Sequence, residues 1–162
     1  MQVGHVTIEY MIMLPILILQ IFLFPLTANW LMNIWIDSRR TLALQDVASH
    51  LGSTIQQLYF SLNHETISKG KATYSPGLPP FIEATPYLGN ATLRPVLDSE
   101  LNSSKALELT VRLIGTRNSV TTTIVLGSNV LWQESVFEGN STHACVNAEK
   151  FSNRTISIWF GE

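Results

Sequence analysis

Residues 4–36 read GHVTIEYMIMLPILILQIFLFPLTANWLMNIWI, and the part from Tyr10 to Ile36 contains no charged side chain. Uncharged apolar runs longer than about 18 residues are typical of transmembrane helices. Glu9 stands directly before this run. A carboxylate at the edge of hydrocarbon costs a few kcal/mol, so we expect Glu9 to have a partner or a task. The stretch therefore predicts a membrane-length helix with one acid at its beginning.

The helical pattern continues beyond the apolar run. Asp37, Arg39 and Arg40 mark the exit from hydrocarbon, and an apolar heptad stripe follows them, formed by Leu44, Ala48, Leu51, Ile55, Leu58 and Leu62. One helix from Val6 to Leu62 would be about 85 Å long at ~1.5 Å per residue, whereas a bilayer core measures about 30 Å. The excess length needs another surface, which is the chain's own domain, the helices of other copies, or both.

The second half of the chain reads as β-structure. Glycine and proline punctuate residues 70–95, so we expect turns there, with short strands at most around 81–84 and 92–97. Apolar residues alternate over 107–113 and again over 120–126, and the turn residues 115–118 between them indicate a hairpin. Further candidate strands cover 130–137, 143–148 and 155–160. The expected fold class is α+β, with a long N-terminal apolar helix followed by an antiparallel sheet or small sandwich.

Composition and motifs exclude several function classes. The net charge of −2 provides no basic surface for nucleic acid. His5, His50, His64 and His143 are scattered without metal-ligand spacing, and no catalytic or phosphate-binding motif is present. We therefore expect no enzyme activity, no cofactor and no metal. Cys145 lies in an expected strand over 142–146, either as a small buried hydrophobe or as a thiol for intermolecular pairing.

The N-terminus resembles the class III signal peptide of archaeal type IV pilins, and Gly4, Glu9, Tyr10 and the apolar run behind them carry the resemblance. It implies cleavage between Gly4 and His5, which makes Thr7 the third and Glu9 the fifth residue of the mature chain. His5 stands where glutamine is common in that family, and the leader 1–3 has no Lys or Arg. The implied organisation is a leader of residues 1–4, a helix over 5–62 that serves as transmembrane segment and filament core, and an exterior β domain over 63–162.

The resemblance also implies a function and partners. The expected product is a lollipop-shaped pilin, stored in the cell membrane and assembled into an extracellular filament for surface adhesion. Its partners would be copies of itself, a prepilin peptidase, an assembly ATPase and a membrane platform. Cleavage frees an amine that is mostly charged at neutral pH, and Glu9 is its natural counter-charge, either within one subunit or between adjacent subunits. An archaellum subunit, a minor pilin and a single-pass membrane-anchored extracellular binding protein remain alternatives.

Four Asn-x-Ser/Thr sequons favour export of the second half of the chain. They begin at Asn90, Asn102, Asn140 and Asn153, and we expect all four in surface turns that carry glycans. The basic pair Arg39–Arg40 after the apolar run opposes this orientation under the positive-inside rule. Cleavage after insertion, as the resemblance implies, reduces that conflict.

Replacing Gly4 tests the implied processing. A peptidase that admits the backbone closely at the cut needs a residue without a side chain there, so Gly4→Val should accumulate uncut precursor in the membrane. The matched change Gln2→Val leaves Gly4 intact and should be cut normally. N-terminal sequencing and gel migration report both; wild-type protein that still begins at Met1 would contradict cleavage at this site.

Overall fold

The computed structural model describes residues 3–96 and 104–161, with side chains from Met11 onward. One α-helix, α1, runs from Val3 to Asn63 and contains Pro15 and Pro25. The chain divides into two compact units between Arg39 and Arg40, so the second unit includes the last part of α1 and all the strands. This confirms the expected fold class, a long apolar N-terminal helix followed by a largely antiparallel β region.

In the second unit, α1 is buried along one side only. Its buried positions recur every three or four residues, as one face of a helix requires: Leu44, Val47, Ala48, Leu51, Thr54, Ile55, Tyr59 and Leu62. The apolar members belong to the same core cluster as strand residues such as Leu109 and Ile158. The stripe was expected to pack on the chain's own domain, on the helices of other copies, or on both. In the structure it packs on the chain's own β-structure.

The strands of the second unit form two four-stranded sheets. They are β1 Gly70–Tyr74, β2 Tyr87–Pro95, β3 Lys105–Leu113, β4 Ser119–Leu126, β5 Val130–Trp132, β6 Val136–Glu138, β7 Val146–Lys150 and β8 Ile156–Phe160. One sheet has the order β1-β7-β8-β5, and the other has the order β4-β3-β2-β6. Every strand pair is antiparallel except β5 with β8, which is parallel.

Alternation along β3 places its apolar side chains in the core. Leu107, Leu109, Val111 and Leu113 are almost completely buried, as the period of two predicted. Aromatic rings join the sheets: Phe137 of β6 meets Phe160 of β8 edge-on, with ring centroids 5.5 Å apart. Both sheets and the second part of α1 therefore share one core.

The structure corrects the expected strand pattern in the Gly/Pro-rich stretch. Strand β1 at Gly70–Tyr74 and the first half of β2 were expected to be turns, whereas residues 81–84 form a tight turn instead of a strand. Gly89 misled the sequence reading, because strands usually avoid glycine. A Cβ built at Gly89 would lie 3.3 Å from the Cβ of Phe137, so close packing selects the small residue here.

The single strand expected over 130–137 is in fact two strands in different sheets. The chain bends at Ser135, whose hydroxyl donates to the Gln133 carbonyl at 3.0 Å and accepts from the Phe160 backbone N–H at 2.8 Å. A serine that bonds nearby backbone in this way competes with the strand ladder. The strand expected over 143–148 likewise begins only at Val146.

Tyr87 gives the fold a measurable pH dependence. Its side chain is fully buried and its hydroxyl donates to the Pro79 carbonyl at 2.8 Å. Burial raises the pKa of Tyr87 to about 12, from an ordinary value of 10.0. Because the folded state holds the proton more tightly, this group's stabilisation is complete below about pH 10 and is lost as the pH rises toward 12.

Thermal unfolding of the full chain in detergent between pH 9 and 11.5 should show this loss. Tyr87→Phe should flatten the alkaline slope, because the titrating group is gone, and should cost about 1 kcal/mol at neutral pH through the lost hydrogen bond. Tyr74→Phe, at a half-exposed tyrosine, is the matched control. Equal alkaline slopes in wild type and Tyr87→Phe would contradict the assignment.

Candidate assembly surface

The first unit presents an apolar surface on every side of the helix. From Met11 to Trp35, here called the apolar segment, every residue is exposed. The segment is about 37 Å long at ~1.5 Å per residue, close to the thickness of a bilayer core. Its large side chains are Met11, Ile12, Met13, Leu14, Ile16, Leu17, Ile18, Leu19, Ile21, Phe22, Leu23, Phe24, Leu26, Trp30, Leu31, Met32, Ile34 and Trp35.

A surface of this kind is incompatible with an isolated chain in water. Soluble monomers rarely expose contiguous apolar patches above a few hundred Å². Within the described residues, α1 is the one helix long and apolar enough to cross a membrane, judged by length and composition. The apolar segment must therefore be covered by lipid or by other protein.

Four polar side chains interrupt the apolar segment. The Thr27 hydroxyl is satisfied within the helix, donating toward the carbonyls of Leu23 at 3.1 Å and Phe24 at 3.0 Å. The amides of Gln20, Asn29 and Asn33 have no hydrogen-bond partner among the residues that the structure describes. Unpaired amides in hydrocarbon are costly, and helices in membranes commonly pair them across an interface. These three amides therefore favour contact with another helix.

Aromatic and basic side chains mark the end of the apolar segment. The guanidinium carbon of Arg39 lies 4.8 Å from the centre of the Trp35 ring, within cation–π range. Tryptophan is enriched where hydrocarbon meets water, and arginine there extends its charge into the polar layer. The positions of Trp30, Trp35 and Arg39 are compatible with the polar edge of a membrane.

The processing and assembly residues expected at the N-terminus lie at the limit of the described structure. The backbone is helical through Gly4, His5 and Glu9, but their side chains fall outside the described residues. Cleavage after Gly4 and a counter-charge role for Glu9 remain predictions from the sequence.

The sequons are located partly as expected. Asn140 and Asn153 are exposed in turns, and Asn102 lies outside the described residues. Asn90 is exposed but lies inside β2, where it is paired with Thr110 on one side and Val136 on the other. The expectation of a turn at Asn90 was wrong, because the chain around Gly89 continues as a strand.

The remaining candidate residues do not converge on a chemical centre. Cys145 precedes β7 and is half-buried, not a fully buried strand residue, with its sulfur 3.4 Å from the Gly161 carbonyl oxygen. In residues 11–96 and 104–161, no three His, Cys, Asp or Glu side chains are grouped to hold a metal ion.

A polar pocket at the end of α1 was missed in the sequence. Its lining includes Lys150, which is only 5% exposed. The alternation along β7 could have revealed it. Val146, Ala148 and Lys150 lie on the same face of the strand, so the pattern places the Lys150 cation at a core position.

No protein-family model matches the chain, and neither a curated protein nor a solved structure shows significant similarity to it. The function of the chain must therefore be inferred from its own residues. Two structural features bear on that function: the uncovered apolar segment, and the two-sheet unit with exposed sequons.

The positions of the sequons predict unequal glycosylation. Asn140 and Asn153 lie in exposed turns, whose backbone can adjust to the active site of a glycosyltransferase. Asn90 lies in β2, and pairing with β3 and β6 holds its backbone in place on both sides. Glycopeptide mass spectrometry of surface material should therefore find higher occupancy at Asn140 and Asn153 than at Asn90. Sugar confined to Asn90 would contradict the structural argument, and a naked protein would remove the support for export.

Proposed function

We propose that this chain is a structural subunit of an archaeal type IV pilus-like extracellular filament, assembled through its N-terminal helix and used for surface adhesion. The observation that carries the proposal is the apolar segment, exposed around its whole circumference from Met11 to Trp35. In a filament, copies of the same segment cover one another, as lipid does before assembly.

The polar residues favour a helix bundle over a lone anchor. Gln20, Asn29 and Asn33 carry amides without described partners, and packed copies of the helix supply amides and carbonyls at matching depths. In the proposed filament, the Glu9 carboxylate would neutralise the freed amine of a neighbouring His5. Assembly thereby satisfies groups that a single helix in lipid leaves unpaired.

The β unit is suited to the outside of such a filament. Its core is complete without another chain, and its sequons at Asn90, Asn140 and Asn153 are exposed. The proposal includes a prepilin peptidase acting at Gly4, an assembly ATPase and a membrane platform as partners. An archaellum subunit or a minor pilin would have the same layout and is the nearer alternative.

A membrane-anchored extracellular binding protein is the second candidate. The length of the apolar segment and the boundary at Trp35 and Arg39 also suit a single-pass anchor. The pocket at the end of α1 would suit its binding function.

Shearing of cells separates the two candidates. Released fibres should contain this chain as their main component, with the apolar segment protected from protease and the β unit accessible. Glu9→Gln should leave membrane insertion and cleavage intact but sharply reduce fibre yield, because the freed amine loses its counter-charge. Glu138→Gln, at an exposed strand position, is the matched control and should leave the yield unchanged.

Two results would contradict the filament. One is recovery of the chain only from detergent-solubilised membranes, as a monomer or small oligomer. The other is normal fibre yield from Glu9→Gln, which would remove the proposed role of that carboxylate.

A further inference from the structure

The second unit contains a polar pocket of about 570 Å³ where α1 ends. We call it the helix-end pocket. It is lined by Asn63, Glu65, Ile67, Ser68, Asn129, Lys150, Ser152 and Arg154. The volume lies in the range of small-molecule sites, which is about 300–1,000 Å³. Seven of the eight lining side chains are polar or charged, so the pocket suits a hydrogen-bonding ligand better than an apolar one.

Asn129 holds the walls of the pocket together. Its amide nitrogen donates to the Asn63 side chain at 3.0 Å and to the Arg154 carbonyl at 2.9 Å, and its amide oxygen accepts from the Tyr59 hydroxyl at 3.1 Å. One amide thus joins the end of α1 to the turn between β7 and β8. The lining is pre-organised, which lowers the entropic cost of binding.

Lys150 supplies a nearly buried positive charge. Its ammonium donates at 3.0 Å to the carbonyl of His64, the residue that follows the end of α1, and this carbonyl also accepts from the Ile67 backbone N–H at 3.2 Å. An ammonium has three N–H donors. Among the described residues, no carboxylate lies within ion-pair distance of it. A cation that is 5% exposed and has one neutral acceptor is under-compensated, so an anion in the pocket would complete its environment.

The charges around Lys150 define the anion. Arg154 adds a second positive charge and Glu65 a negative one, so the lining carries a formal charge of +1. Phosphate monoesters carry about −1.5 to −2 at neutral pH and would be repelled by Glu65 and by the negative end of α1. A monoanionic carboxylate fits this balance better.

The neutral lining defines the rest of the ligand. Asn63, Ser68 and Ser152 can donate and accept hydrogen bonds, and the Glu65 carboxylate can accept from hydroxyls. Ile67 is the one apolar side chain among the eight, so an aliphatic or aromatic acid would gain little contact. We propose that the helix-end pocket binds a carboxylate-bearing sugar, a uronic acid unit, with Lys150 and Arg154 on the carboxylate.

Such a sugar could come from an external polysaccharide or from a glycan on the chain itself. Asn153 is a sequon and lies between Ser152 and Arg154, both of which line the pocket. Either source presents the same carboxylate and hydroxyl groups. The proposal concerns the second unit alone and stands whether or not the chain assembles into filaments.

Titration of the unglycosylated full chain in detergent micelles with glucuronate tests the pocket. Nitrogen-15 NMR should show saturable shifts confined to residues such as Asn63, Asn129 and Arg154. Glucose, which lacks the carboxylate, should bind at least about tenfold more weakly, since a charge-assisted hydrogen bond is worth about 1.5–3 kcal/mol. Inorganic phosphate should also bind more weakly than glucuronate, because Glu65 and the negative end of α1 repel its larger charge.

Two variants move the affinity in opposite directions. Arg154→Asn should weaken glucuronate binding about tenfold by removing a charged donor. Asparagine also tolerates the positive φ of 68° at this position. Glu65→Gln should strengthen binding by removing the repelling charge. Arg117→Asn, at an exposed arginine remote in sequence, is the matched control and should bind like wild type.

Glucuronate titration of protein isolated from its own cells distinguishes a glycan on the chain from an external polysaccharide as the source of the sugar. If the glycan on Asn153 fills the pocket, Asn153→Gln should raise the affinity for added glucuronate; an external source predicts no change. Absence of saturable shifts in the unglycosylated chain would overturn the proposal. So would glucose or phosphate binding as tightly as glucuronate, or equal affinities in Arg154→Asn and Arg117→Asn.

Discussion

The apolar segment must be removed from water, and this requirement limits the environments in which the chain is stable. From Met11 to Trp35 the helix is apolar on every side, and no part of that surface is buried within the first unit. Hydrophobic burial is the dominant favourable term in association as in folding. The segment therefore demands a continuous cover. Lipid matches its length and uniform circumference, and packed copies of the same helix are the cover that the proposed filament would supply.

The same helix meets a different requirement after Arg40. There its apolar residues are restricted to one stripe, and the two sheets cover that stripe completely at residues such as Leu51 and Ile55. Burying a side chain of this size stabilises a fold by about 1.5–3 kcal/mol. One continuous helix thus combines a surface that needs partners outside the chain with a surface satisfied within it, and the change falls at the charges Arg39 and Arg40.

Polar residues at the two ends of the helix have different proposed roles. Near the N-terminus, Glu9 precedes the apolar run, and in the proposed filament it would be neutralised by the freed amine of another copy. At the C-terminal end, Asn129 ties Asn63 to the turn after β7, and Lys150 donates to the carbonyl of His64, just beyond the helix. The first group is suited to assembly, and the second to recognition of a small polar ligand. Lys150 is nearly buried and has one neutral acceptor, the His64 carbonyl, so an anion in the pocket would complete its environment.

The sequence by itself determined the helix and the strands β3, β4 and β8. Their apolar residues repeat with the helical period of 3.6 or the strand period of 2, and such spacing depends only on residues close together in the chain. Only the tertiary structure decided the rest. Gly89 belongs to a strand because Phe137 fills the space beside it, and Ser135 divides one apolar run between two sheets because Phe160 supplies its partner. The pocket around Lys150 depends on residues from 63 to 154, and such convergence follows from sheet topology, which no local pattern encodes.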